Sequence, residues 1–209
     1  MKTTTFSKSL NFKTIFWLVV LLTLFVISLK FVIGKLHYYS FQDETFGRYL
    51  GVKWWLLGHI SGGILALILG PFQFVAILRE KFSRLSKVTE YIYLTGIIIS
   101  SICSMYLAWN MGLKIHWTWA LSSQVLAFVW IVTALMTFRA LLKKRMQQHK
   151  EWMIRSYLVT LVFVAFRWIV FLPAMAKLGT YPQIAPTVMY VTLFIPLFIA
   201  EILFQWNKN

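Results

Sequence analysis

Two side chains fall where hydrocarbon would leave them without a partner. His59 lies in LLGHISGGILALILGPFQF, residues 56–74, and Arg167 interrupts VFVAFRWIVF, residues 162–171. An imidazole at such a position can ligate a metal or accept a hydrogen bond, and a guanidinium can bind an anion or a carbonyl oxygen. Gly62 and Gly63 follow His59 at i+3 and i+4, so one helical face offers a ring nitrogen beside positions with no side chain. A flat macrocycle bound edge-on to a helix needs that arrangement. Gly58, Gly62, Ala66 and Gly70 also recur at intervals of four, a small-residue stripe that lets a second helix approach closely. Close packing accounts for the glycines and leaves the histidine unexplained.

Depth links the two residues. At 1.5 Å per residue, His59 lies ~10 Å from the midpoint of its apolar segment, and Arg167 ~5 Å from its own on a segment running the other way, so both fall in one layer. A guanidinium at that depth costs roughly 2.5–3.5 kcal/mol even on the translocon scale, so something must compensate it. One reading makes Arg167 the counter-ion of a haem propionate or a donor to a quinone carbonyl. The other satisfies it with helix-end carbonyls, water and the loop at 35–52. His116, flanked by Trp117 and Trp119, is the candidate to face His59 across an iron as a second metal ligand, and its alternative is a solvated interfacial histidine. His37, in the same loop, is a weaker candidate.

A second polar run, HKEWMIRSY, covers residues 149–157. His149 reads from spacing as a solvent-facing loop residue, Trp152 as an interfacial anchor, and Arg155 as the partner of Glu201 or Glu90 in a buried pair that sets register. Six acidic residues give no carboxylate pair on one helix face, no HExxH and no row of intramembrane acids. Phosphate-binding glycine loops are also absent. Cys103 is the single cysteine, so no disulfide or CxxC pair forms within one chain, and it reads as a small buried thiol beside Ser100, Ser101 and Ser104.

These residues need a scaffold, and hydropathy supplies it. With 59% hydrophobic residues, 13% charged residues and a mean hydropathy of +0.71, the 209-residue chain is far more apolar than a soluble core requires. Apolar windows about 20 residues long, enough to cross a ~30 Å core, predict six spans: 14–34, 53–78, 88–111, 117–142, 152–175 and 186–206. The expected fold is all-α, a polytopic membrane helix bundle in a single domain of residues 1–209, multi-pass in the plasma membrane or bacterial inner membrane. The first span is read as an uncleaved helix, since its apolar run is long and no A-x-A-like site follows it.

The net charge of +15 is distributed by topology. Lys2, Lys8, Lys13, the run from Arg79 to Lys87, the run from Arg139 to Arg155, and Lys208 share one side of the six-span arrangement. Only Lys35, Arg48, Lys53, Lys114 and Lys177 take the other, which places both termini in the cytoplasm and argues against nucleic acid as a partner. Trp54, Trp55, Trp117, Trp119, Trp152 and Trp206 mark span ends. Pro182 and Pro186 bracket the entry to the last helix, and Pro196 is placed to kink it.

The ensemble resembles an uncharacterised family of predicted membrane proteins, domain of unknown function 2306, over about residues 54–175. The matching residues are His59, Gly62 and Gly63 with the G-P-x-Q-F ending at Gly70, Pro71, Gln73 and Phe74; then Arg79, Tyr93 and Gly96; then Trp130 and Thr133. His149, Trp152, Met153 and Arg155 match a histidine-led W-M-x-R run, followed by Arg167 and Pro173. The chain departs from the pattern at Ser86-Lys87, where the family shows His-Arg, and at Glu90, where it shows glycine. The resemblance therefore implies that a histidine pair involving His149 is broken here, leaving His59 and Arg167 as the surviving candidates. The family carries no established activity.

Two functions follow as expectations. One is a redox-type membrane protein that holds haem b or a quinone near His59, Gly62, Gly63, His116 and Arg167. The other is a structural or accessory subunit whose small-residue stripe docks a partner subunit or a second copy. A small-solute transporter, with Arg167 as its anion site, ranks behind both.

Overall fold

A computed structural model of the chain describes residues 12–75 and 81–206. Every long element is a helix, as apolar sequence demands when no water is present to satisfy backbone groups. In order they are α1 (Phe12–Ile33), α2 (Lys53–Leu69), α3 (Ser83–Leu107), α4 (Trp117–Leu142), α5 (Met146–Val170) and α6 (Tyr181–Trp206). Five helical stretches among the described residues, carrying α2 to α6, are long and apolar enough to cross a membrane. No strand occurs among the described residues.

Short turns join the helices. Residues between α1 and α2 coil through Leu36–Ser40, Asp43–Phe46 and Gly47–Val52, and form what is called here the loop end of the bundle. At the opposite, basic end, α4 and α5 are joined by Lys143–Arg145 alone. There Lys144 takes a positive φ of 54°, and the Arg145 amide donates back to the Ala140 carbonyl at 3.0 Å, which closes the α4 terminus. α3 ends in a wider turn at Ala108–Gly112, and Gly112 lets that corner sit against Ala120.

The expected span at 117–142 coincides with α4; the others shift for local reasons. α3 starts at Ser83, five residues before the expected 88, and α6 starts at Tyr181 because Pro182 is tolerated in a first helical turn. α5 occupies Met146–Val170 in place of 152–175, since His149 and Glu151 are buried helical residues and Pro173 opens a separate short turn. α2 closes at Leu69, followed by a turn at Pro71–Phe74. Residues 76–78 of the second expected span, Arg79, the lysines before residue 12, and Lys208 lie outside the described residues.

The small-residue stripe is consumed inside the chain. A Cβ on Gly62 would collide with the Gly96 carbonyl oxygen of α3, and one on Gly58 would lie 2.7 Å from the Cys103 sulfur. α2 and α3 therefore touch backbone to backbone. The core beside them is built on Tyr93, Trp130, Val159 and Leu193, all at or below 1% exposure, from α3, α4, α5 and α6. Two of its polar side chains are paired: Trp130 donates to Thr160 at 2.9 Å, and the Tyr93 hydroxyl meets Ser156 at 3.0 Å.

Candidate functional site

The contact between α2 and α3 fixes the histidine. Ser100, fully buried on α3, donates its hydroxyl to the His59 carbonyl at 2.7 Å. The ring Nδ1 lies 3.1 Å from the Ser100 carbonyl and 3.0 Å from its Oγ. Because the Ser100 proton is already committed and its carbonyl can only accept, Nδ1 carries the hydrogen, and the neutral ring presents Nε2 as a bare lone pair. Tethering one ring nitrogen to a backbone carbonyl is how proteins orient a metal-ligating imidazole. Phe163 of α5 packs edge-on to the ring with centroids 5.8 Å apart.

His59 lines a cavity of about 540 Å³ at the loop end, within the range of cofactor pockets. Arg167 of α5 lines the same cavity, as do Gly63, Lys35 and Arg48. Tyr38, Tyr49 and Tyr181 contribute phenol groups, and Trp130 and Thr160 connect it to the core. Among the described residues, no carboxylate lines it. Asp43, the nearby loop acid, is taken by Lys53 at 3.0 Å.

Arg167 makes no hydrogen bond or ion pair among the described residues. Its guanidinium lies over Phe31 and Phe166, 5.2 and 5.6 Å from the ring centroids. Cation–π contacts contribute roughly 0.5–2 kcal/mol each and offset much of the cost of burying the charge, but they satisfy none of the guanidinium N–H donors. Lys35 registers the same surplus of positive charge: burial first, and Arg167 second, pull its ammonium down to about 8. Among the described residues the cavity thus brings together three basic side chains and one accepting imidazole nitrogen with no acid, an electrostatic surplus that an anion would complement.

Other expected site residues are not brought there. His116 is exposed and caps α4, with Nδ1 2.6 Å from Thr118 Oγ1 and accepting from the Thr118 amide at 3.3 Å. It does not line the His59 cavity, so the expected His59–His116 pair across an iron is corrected: a helix cap competes for the ring. Gly62 is likewise corrected from cofactor cradle to helix contact, because its free face is filled by Gly96 and Ser100.

At the basic end, His149 is not a solvent-facing loop residue. It is 5% exposed, with Nδ1 3.3 Å from the Thr137 carbonyl and Nε2 3.3 Å from Glu90. Glu90 thus faces His149, and Arg155 pairs with Glu201 and, at 4.0 Å, with Glu151. Trp152 stacks against the Arg155 guanidinium at 4.8 Å. Gln73 is buried in the turn after α2, donating to Leu69 and Thr89, each at 3.3 Å. These residues hold the helices together at that end. No group of three or more metal-ligating side chains occurs among the described residues.

Sequence reading missed Ser100, Lys35 and Arg48. A usable signal existed for Ser100. Antiparallel pairing keeps the sum of facing residue numbers nearly constant, and His59 with Ser100 and Gly62 with Gly96 share nearly the same sum.

No curated protein and no solved structure matches the chain. A family model described as predicted membrane protein, DUF2306, matches residues 56–204, and so extends beyond the expected 54–175 to take in α6. The chain, an all-helical protein with several membrane-length apolar helices, belongs to that family of predicted membrane proteins.

Proposed function

We propose that the protein is a redox-type membrane module that binds haem in the loop-end cavity, His59 supplying the iron ligand through Nε2. The observation that carries this reading is the grouping of Lys35, Arg48 and Arg167 around a tethered imidazole with no carboxylate on the cavity wall. Two propionates would neutralise that surplus, and the aromatic and aliphatic wall suits a macrocycle. His59 would hold the iron, Ser100 would orient His59, and Arg167 with Lys35 would bind the carboxylates. Bound haem would supply one-electron chemistry; the protein residues bind, orient and exclude water.

A quinone is the second reading. Phe31, Ile64 and Leu67 form an apolar wall between α1 and α2 that suits an isoprenoid tail, and Nε2 would accept from a quinol hydroxyl. A quinone is uncharged, however, and leaves the three cations unanswered. An accessory-subunit role through the glycine stripe is less well supported, since α3 at Gly58 and Gly62 and Tyr157 of α5 at Gly70 already cover that stripe.

The proposed setting is six spans, α1 included, in the plasma membrane with both termini cytoplasmic. The cavity then opens in the outer half of the bilayer, and lipid is the immediate partner.

Titrating detergent-purified protein with haemin tests the reading. A saturable, equimolar Soret shift that disappears in His59→Ala and weakens in Arg167→Leu is expected. Unchanged spectra, with retained binding of a ubiquinone analogue, would move the assignment to the quinone.

A further inference from the structure

A second cavity, of about 510 Å³, lies at the basic end between α4, α5 and α6, away from the His59 site. Its charged wall divides into two sets. Arg155, Glu151 and Glu201 form a closed group: the guanidinium bridges the two acids, Gln147 donates to Glu151 at 3.1 Å, and Gln205 donates to Glu201 at 2.6 Å. Arg139, Lys143 and Arg145 form an open one. All three are exposed, and their side chains make no hydrogen bond or ion pair among the described residues.

Mutual repulsion disfavours this cluster, while the helix dipole favours Arg139 and Lys143 at the α4 C-terminus and opposes Arg145 alone. Arg145 caps the N-terminus of α5, where the dipole favours negative charge. The two-helix turn nevertheless holds the cations together, because Lys144 is fixed at φ 54° and the Arg145 amide is bonded to Ala140. The acids that could neutralise them are already engaged by Arg155. An external anion is therefore what this wall complements.

The source of that anion is indicated by what adjoins the cavity. Glu201 and Gln205 also border a groove along α6 formed by Phe198, Ile202 and Trp206, all exposed. A charged pocket continuous with an apolar groove on a membrane-length helix matches a phosphate headgroup with an attached acyl chain. We propose that this end binds an anionic glycerophospholipid of the bilayer, its phosphate on Arg139, Lys143 and Arg145 and an acyl chain along α6. The site stands independently of the His59 cavity and of any cofactor there.

Native mass spectrometry of the full chain, titrated with dioleoylphosphatidylglycerol and with dioleoylphosphatidylcholine, tests it. Retention of the anionic lipid is expected to be at least about tenfold stronger than that of the zwitterionic one, whose choline ammonium cancels the phosphate charge that the three cations attract. The combined variant Arg139→Gln, Lys143→Gln, Arg145→Gln is expected to abolish the preference, and Lys143→Gln alone to reduce it. Equal charge removal elsewhere at the basic end, by Lys81→Gln, Arg84→Gln and Lys87→Gln, is expected to preserve it. Loss of preference in that control as well, or full competition by millimolar inorganic phosphate, would overturn the lipid assignment.

Discussion

The loop end and the basic end of this bundle use the same two residue types differently. Each places an imidazole and a guanidinium among apolar helices. At the basic end both are answered within the chain: His149 faces Glu90, and Arg155 is held by Glu151 and Glu201. At the loop end, among the described residues, His59 Nε2 makes no hydrogen bond and Arg167 lies against the faces of Phe31 and Phe166 without a hydrogen bond or ion pair. Internal neutralisation fixes helix register, whereas unanswered charge around a cavity costs stability that a ligand would restore. The contrast separates residues that build the bundle from residues that await a partner.

Substituting the two arginines should break that contrast if it is wrong. Arg155→Leu removes the cation that bridges Glu151 and Glu201 and is expected to destabilise the protein by roughly 3 kcal/mol, measured by unfolding in mixed micelles. Ser100→Ala, which removes the hydroxyl bond to the His59 carbonyl but keeps the carbonyl tether on Nδ1, should cost ~1 kcal/mol of ligand-free stability and weaken haem retention by about tenfold or less. Arg167→Leu is expected to leave ligand-free stability within ~1 kcal/mol or to raise it, because it removes a charge that aromatic contacts only partly offset. A loss comparable to that of Arg155→Leu would show that Arg167 is answered after all.

The smallest expected effect is on pH dependence. Lys35 is held at about 8, below its ordinary 10.5. Between those values the unfolded chain binds a proton that the native one does not, so ligand-free stability should rise with pH across that window. Binding of an anionic ligand should weaken across the same rise through pH 8, as Lys35 loses its charge. Lys35→Met should flatten both trends in a pH series of thermal unfolding and ligand titration.

Much of the scaffold was legible because hydrophobic length is a local property. α4 ends where its apolar run ends, and the family motif fell on residues that the structure uses. Less legible was anything decided between helices. His149 looked like a loop residue because its neighbours Lys150 and Glu151 are charged, yet helical geometry turns it inward onto Glu90. His116 looked like a ligand because it opens a helix, and opening a helix is what occupies it. Gly62 and Gly63 looked equivalent; one faces α3 and the other the cavity, which only the crossing of α2 and α3 decides. Lys35 and Arg48 come from a loop whose path no periodicity encodes.

An oxidised and dithionite-reduced absorption spectrum of the protein, purified from membranes grown with a haem precursor, tests the central claim most directly. A Soret band that shifts on reduction is expected in the native protein and is expected to be absent from His59→Ala of equal yield and unchanged helical content. A colourless native protein that also fails to take up haemin, or a full Soret band in His59→Ala, would contradict it.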